Sequence, residues 1–188
     1  MIINTKTLVG EIFSQRFGLY KYEKIMKNVK LSNVSIDKEF QKNFNHYYQV
    51  RRDEAWRKTY YELFEDIKNE SDLQFKDIIT CLHKKTGNVE ASFSSKLLAT
   101  INPDMPIWDQ HVLNNLSLKL KGKTKDEKLL NAINLYNEMI ILYKEYLKTD
   151  NAKESVNLFK SLVPNFQWLT DTKIIDYLIF SIRDTKEK

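Results

Sequence analysis

At 188 residues, 42% of them hydrophobic, the chain can bury a sizeable core without disulfide or metal staples. Its single cysteine, Cys81, excludes an internal disulfide and a cysteine-built zinc or iron–sulfur site, and four Gly with three Pro argue against a turn-rich β protein. The formal net charge of +5 and the pI near 9.0 admit an anionic partner such as nucleic acid without requiring one.

The N-terminus, MIINTKTLVGEIF, has no basic segment followed by an apolar run, and no window approaches the ~18 apolar residues of a membrane span. A cytoplasmic protein without a membrane partner is therefore expected. Residues 2–30 read as one or two helices, with Leu8, Ile12 and Phe13 near one face and then Tyr20, Ile25 and Met26. Gly18 marks a possible break. The lysines from Lys21 to Lys30 read first as a solvated face and second as a DNA patch. Residues 31–38 form a connector in which Asp37 can cap the next helix.

From Phe40 to Ile67 aromatic residues recur at helical intervals: Phe40, Phe44, Tyr47 and Tyr48, then Trp56, Tyr60 and Phe64. Two helices jointed near Arg52–Asp53 fit this spacing. Such a stripe is first a core face with basic residues at its rim. With His46, Arg51, Arg52, Arg57 and Lys58 interleaved, it is second a surface for stacking bases and holding phosphates. The polar run Asn69–Asp72 precedes an amphipathic helix through Leu73, Ile78, Ile79 and Leu82. That helix ends at Lys84–Lys85, where basic charge complements its dipole. Cys81 reads as a small apolar residue on it. Gly87 in Thr86–Gly87–Asn88 suits a left-handed cap.

Val89 to Leu116 is the most informative stretch. Ser92–Ile101 suits a buried helix. Pro103 and Pro106 cannot continue it, because each fixes φ and lacks an N–H. Asp109 stands at an N-cap position before a helix predicted over Gln110–Leu120. Beyond it, Ser117–Asp126 is a basic loop containing Gly122. A long helix runs from Leu129 to about Leu147, another surrounds Val156, Leu158, Phe159 and Leu162, and Pro164 ends it. Leu169–Thr170–Asp171 opens the last helix, with a frayed TKEK tail. The whole is all-α with about eight helices. It forms one domain over 1–188, either undivided or as two helical lobes meeting near 86–110.

The order helix, hairpin, helix, then Pro106-Ile107-Trp108-Asp109-Gln110-His111-Val112 resembles the helix–hairpin–helix DNA glycosylases. Their loop carries a P-[IV]-x-D-x-x-V pattern with a catalytic aspartate. The resemblance covers residues from about 56 to 120 and implies a DNA-glycosylase-like, two-lobed helical bundle. It places Asp109 as the electrostatic catalyst for excision of a flipped base, with Trp108 and His111 as base-binding candidates. Gly87, Asn88 and Ser92 would meet DNA at the hairpin, and Arg51, Arg52 and Arg57 would add phosphate contacts.

Two departures bear on activity. The family's hairpin has two glycines, which let its backbone approach a phosphate; here Glu90 falls near the second. Strand-nicking members carry a lysine early in the second helix. The aligned position is near Ser92, and Lys96 lies one turn later on the same face. The resemblance therefore implies a monofunctional glycosylase, with Lys96 a further catalytic candidate and no metal or cofactor. Bond cleavage develops positive charge on the sugar, which a nearby carboxylate stabilises. The alternatives remain that Asp109 only caps a helix, and that the chain is a non-catalytic helical module binding protein or nucleic acid.

Overall fold

The computed structural model describes residue 3 and residues 18–181. The segment holding Leu8, Ile12 and Phe13, and the TKEK tail, lie outside them. Among the described residues the fold is all-helical: α1 (18–28), α2 (Lys38–Tyr47), α3 (Glu54–Ile67), α4 (Phe75–Thr86), α5 (Ala91–Ile101), α6 (Gln110–Asn115), α7 (Lys125–Leu147), α8 (Asp150–Leu162) and α9 (Asp171–Ser181). A 3₁₀ turn at Pro164–Phe166 separates α8 from α9. No helix among the described residues is long and apolar enough to cross a membrane.

Caps set most boundaries. Asp37, Asp53 and Thr149 each accept a backbone N–H of the following first turn, relieving donors that have no partner within the helix. Gly18 is the first described residue of α1, and the segment before it lies outside the described residues. The helix expected from Leu73 starts instead at Phe75, where the Asp77 carboxylate accepts the Gln74 N–H (3.2 Å). The helix expected over Gln110–Leu120 stops at Asn115. Ser117 adopts φ 57°, and the N–H groups of Ser117 and Leu118 return to the carbonyls of Asn114 and Leu113. That is a Schellman ending built on a serine, where glycine is the usual signal. Gln49 (φ 55°) ends α2 in the same way, with the Val50 N–H on the Asn45 carbonyl.

The aromatic stripe of α2 and α3 is core. Phe40, Phe44, Tyr60, Tyr61 and Phe64 are fully or almost fully buried and pack ring on ring. Helix α4 packs on α5 and α7, and α9 packs on α6 and α8. Between α5 and α6 the two-proline loop has no ladder of its own, so its buried polar groups need side-chain partners. Four supply them. Thr170 Oγ1 donates to the Pro103 carbonyl (2.8 Å) and Tyr136 Oη to the Pro106 carbonyl (2.7 Å). Asp176 accepts the Ile107 N–H (3.0 Å), and Ser95 Oγ accepts the Trp108 N–H (2.9 Å). Side chains from α5, α7, α9 and the turn before α9 thus fix the loop that presents Asp109.

Candidate active site

A cavity of about 460 Å³ opens beside Asp109. This lies within the ~300–1,000 Å³ of typical small-molecule sites. Its wall combines α1 (Lys21), the end of α2 (His46 to Gln49), α5 (Lys96), the pinned loop (Ile107, Asp109), α6 (Val112) and α9 (Lys173, Asp176, Tyr177, Phe180). Elements far apart in the chain therefore bring three lysines and two aspartates to one concavity.

Asp109 caps α6: its Oδ1 accepts the His111 N–H (2.9 Å). Lys96 donates to the Tyr48 carbonyl (3.1 Å), and its ammonium lies 5.2 Å from the Phe93 ring centroid. Burial holds the Lys96 pKa below the ordinary lysine value; the Asp109 charge opposes this shift and Lys173 adds to it. Lys173 is buried, with its ammonium 4.3 Å from the Tyr22 ring centroid and 5.4 Å from that of Tyr47, a cation held on aromatic faces. Asp176 accepts from the Ile107 N–H and the Tyr143 hydroxyl. Burial pushes its pKa up to about 7, although Lys173 and both hydrogen bonds pull it down. At the rim, Lys21 Nζ donates to His46 Nδ1 (3.0 Å).

Of the residues expected from sequence, Asp109 and Lys96 meet in this cavity. Trp108 does not line it. The indole is buried and stacks on Phe75 (6.3 Å, 5° between planes), because the backbone bond to Ser95 turns the residue inward. His111 is exposed and lies edge-on to Phe180 (5.8 Å), outside the cavity wall. The aromatic side chains that do line the cavity include Tyr47 and Phe180. Sequence reading missed Lys173 and Asp176. Their signal was Lys173 and Asp176, charged residues three apart among the apolar residues that follow Asp171 and Thr172 on the final helix.

A short turn joins α4 to α5. Gly87 ends α4 in the left-handed region (φ 69°), and its carbonyl accepts from Lys125 Nζ (2.6 Å). That contact brings the start of α7, where the basic loop ends, against the turn. Asn88 is exposed and Ser92 half-buried. Glu90, at the head of α5, is 3% exposed and holds Trp56 Nε1 (3.0 Å) and Arg52 (2.8 Å). The Arg52 guanidinium also lies over Trp56 and Phe93, while its side chain remains exposed. Arg51 is exposed and donates to Gln49 Oε1 (3.3 Å), and Arg57 is half-buried on α3. Among the described residues no group of three or more His, Cys, Asp or Glu side chains is placed to hold a metal ion. Comparison with protein-family models, curated proteins and solved structures finds no match.

Proposed function

We propose that this protein binds DNA and excises a base from a nucleotide turned out of the duplex, with Asp109 as electrostatic catalyst. The observation that carries this reading is the cavity beside Asp109, with Lys21, Lys96 and Lys173 on its wall. Unstacking a nucleotide costs a few kcal/mol, which is recovered only in a pocket that holds it. In the reaction the C1′–N bond breaks and its electron pair leaves with the base. The cation left on the sugar is stabilised by the Asp109 carboxylate. Water then bonds to C1′ and loses a proton to solvent. The exposed lysines of the segment leading into α7, Lys119 to Lys125, the last of which touches Gly87, supply phosphate contacts.

The test is base release from duplexes carrying damaged or mismatched bases, using the wild type and Asp109→Asn. Asparagine still caps α6 but cannot neutralise the sugar cation. Excision should fall ~10²–10³-fold with DNA binding nearly unchanged. Equal excision by the variant, or no release of any lesion by the wild type, removes Asp109 as catalyst.

One observation favours a second reading, a non-catalytic module. Glu90 with its Arg52 and Trp56 partners occupies the head of α5, where the resembled family receives a DNA phosphate. DNA binding without base release would favour this reading.

A further inference from the structure

Two ammonium groups line this cavity with little to satisfy them. Each carries three N–H donors. Lys96 gives one to the Tyr48 carbonyl. Lys173 gives none to a hydrogen-bond acceptor among the described residues; the rings of Tyr22, Tyr47 and Tyr48 lie against it, and its charge acts on Asp176. Among the described residues neither has a carboxylate within the 4.0 Å of an ion pair, although Asp109 acts on Lys96 and Lys173 on Asp176 from farther away. Asp176 is committed to the Ile107 N–H and the Tyr143 hydroxyl, and Asp109 to the His111 N–H. Lys96 and Lys173 repel each other in this concavity, and Asp109 and Asp176 offset that only from beyond ion-pair distance, so an anion that reaches both ammonium groups directly is favoured. Beside them the wall is apolar and aromatic, with Tyr47, Ile107, Val112 and Phe180.

We propose that Lys96 and Lys173 form an oxyanion site for a phosphate monoester whose aromatic or heteroaromatic body lies against Tyr47, Ile107, Val112 and Phe180. A phosphate monoester carries ~1.5–2 negative charges at neutral pH, which matches two ammonium groups better than a single carboxylate does. Its three terminal oxygens can accept the unused N–H donors of both lysines. The inference does not rest on base excision, because it concerns a small ligand and the protein without DNA.

The experiment is calorimetric titration of the full chain with phenyl phosphate, inorganic phosphate, benzoate and phenol. Phenyl phosphate should bind most tightly, inorganic phosphate and benzoate more weakly, and phenol weakest. Lys96→Gln and Lys173→Gln should each weaken phenyl phosphate by about tenfold or more, as expected for loss of a charged hydrogen bond. Phenol binding as well as phenyl phosphate would overturn the oxyanion site, and benzoate binding as well would overturn the phosphate assignment. Lys173→Gln disturbs the tyrosine cluster, so its fold is checked first. If it does not fold, Lys96→Gln and the wild-type ligand series decide. Unchanged affinity in a folded Lys96→Gln variant also overturns the site. Base release is measured separately on duplex DNA, so failure of either reading is visible without the other.

Discussion

Asp109 serves the fold whatever it does in the cavity. Removing its cap bond with Asp109→Ala should cost ~0.5–2 kcal/mol, whereas Asp109→Asn should leave stability almost unchanged. Chemical denaturation of the three proteins checks this, and an equal loss in both variants would mean that the charge, not the cap, holds α6. Asp176 adds a pH dependence of opposite sense to that of an ordinary paired carboxylate. Its folded pKa is raised from 3.8 to about 7, so between those values the folded state keeps a proton that the unfolded state has lost. Stability from this group therefore falls as pH rises from about 4 to about 7, and is flat above. Asp176→Asn has no such proton. The wild type's stability relative to this variant should decline across that interval, and a relative gain with rising pH would contradict the assigned burial.

At the scale of elements, the turn between α4 and α5 depends on one residue. Gly87 sits at φ 69° with open space where a Cβ would stand, so substitution there is a conformational question and not a steric one. Gly87→Ala should cost ~1–2 kcal/mol, and Gly87→Asn should cost less because asparagine tolerates the left-handed region. Equal melting temperatures for all three proteins would show that the turn can relax. The neighbouring loop is constrained differently. A Cβ on Gly122 (φ 131°) would lie 2.9 Å from the Lys128 backbone nitrogen, so loop and helix must both shift to admit a side chain. Both glycines stand next to the basic segment that contacts the turn, where the proposed DNA surface would be.

For the whole molecule, the charge of +5 becomes informative only through its placement. Lys119, Lys121, Lys123 and Lys125 are exposed on one segment beside the α4–α5 turn, while Lys96 and Lys173 face the cavity. If this face holds duplex DNA, affinity should fall steeply as salt rises, because condensed counterions are released on association. Titrations at several salt concentrations test it, and an affinity that stays flat up to physiological salt would remove duplex DNA as the partner. Arg52→Ala should weaken DNA binding less than loss of the loop lysines, since its charge is already matched by Glu90.

The all-helical class, the aromatic core face, the proline break and the caps at Asp37 and Asp109 were determined by the sequence alone. They follow from local rules, namely a period of 3.6 residues, fixed proline dihedrals and short polar side chains at helix starts. The helix ends at Gln49 and Ser117 were not legible, because neither residue announces a positive φ. Asp109 and Lys96 were legible as candidates through one short loop and its preceding helix. Their company was decided only by the tertiary structure. Ser95 Oγ, through its bond to the Trp108 N–H, turns Trp108 into the core, and α9 delivers Lys173 and Asp176 from more than sixty residues away. The loop that carries Asp109 into the cavity wall is fixed by side chains from four places in the chain, and such long-range pairings leave no period in the sequence.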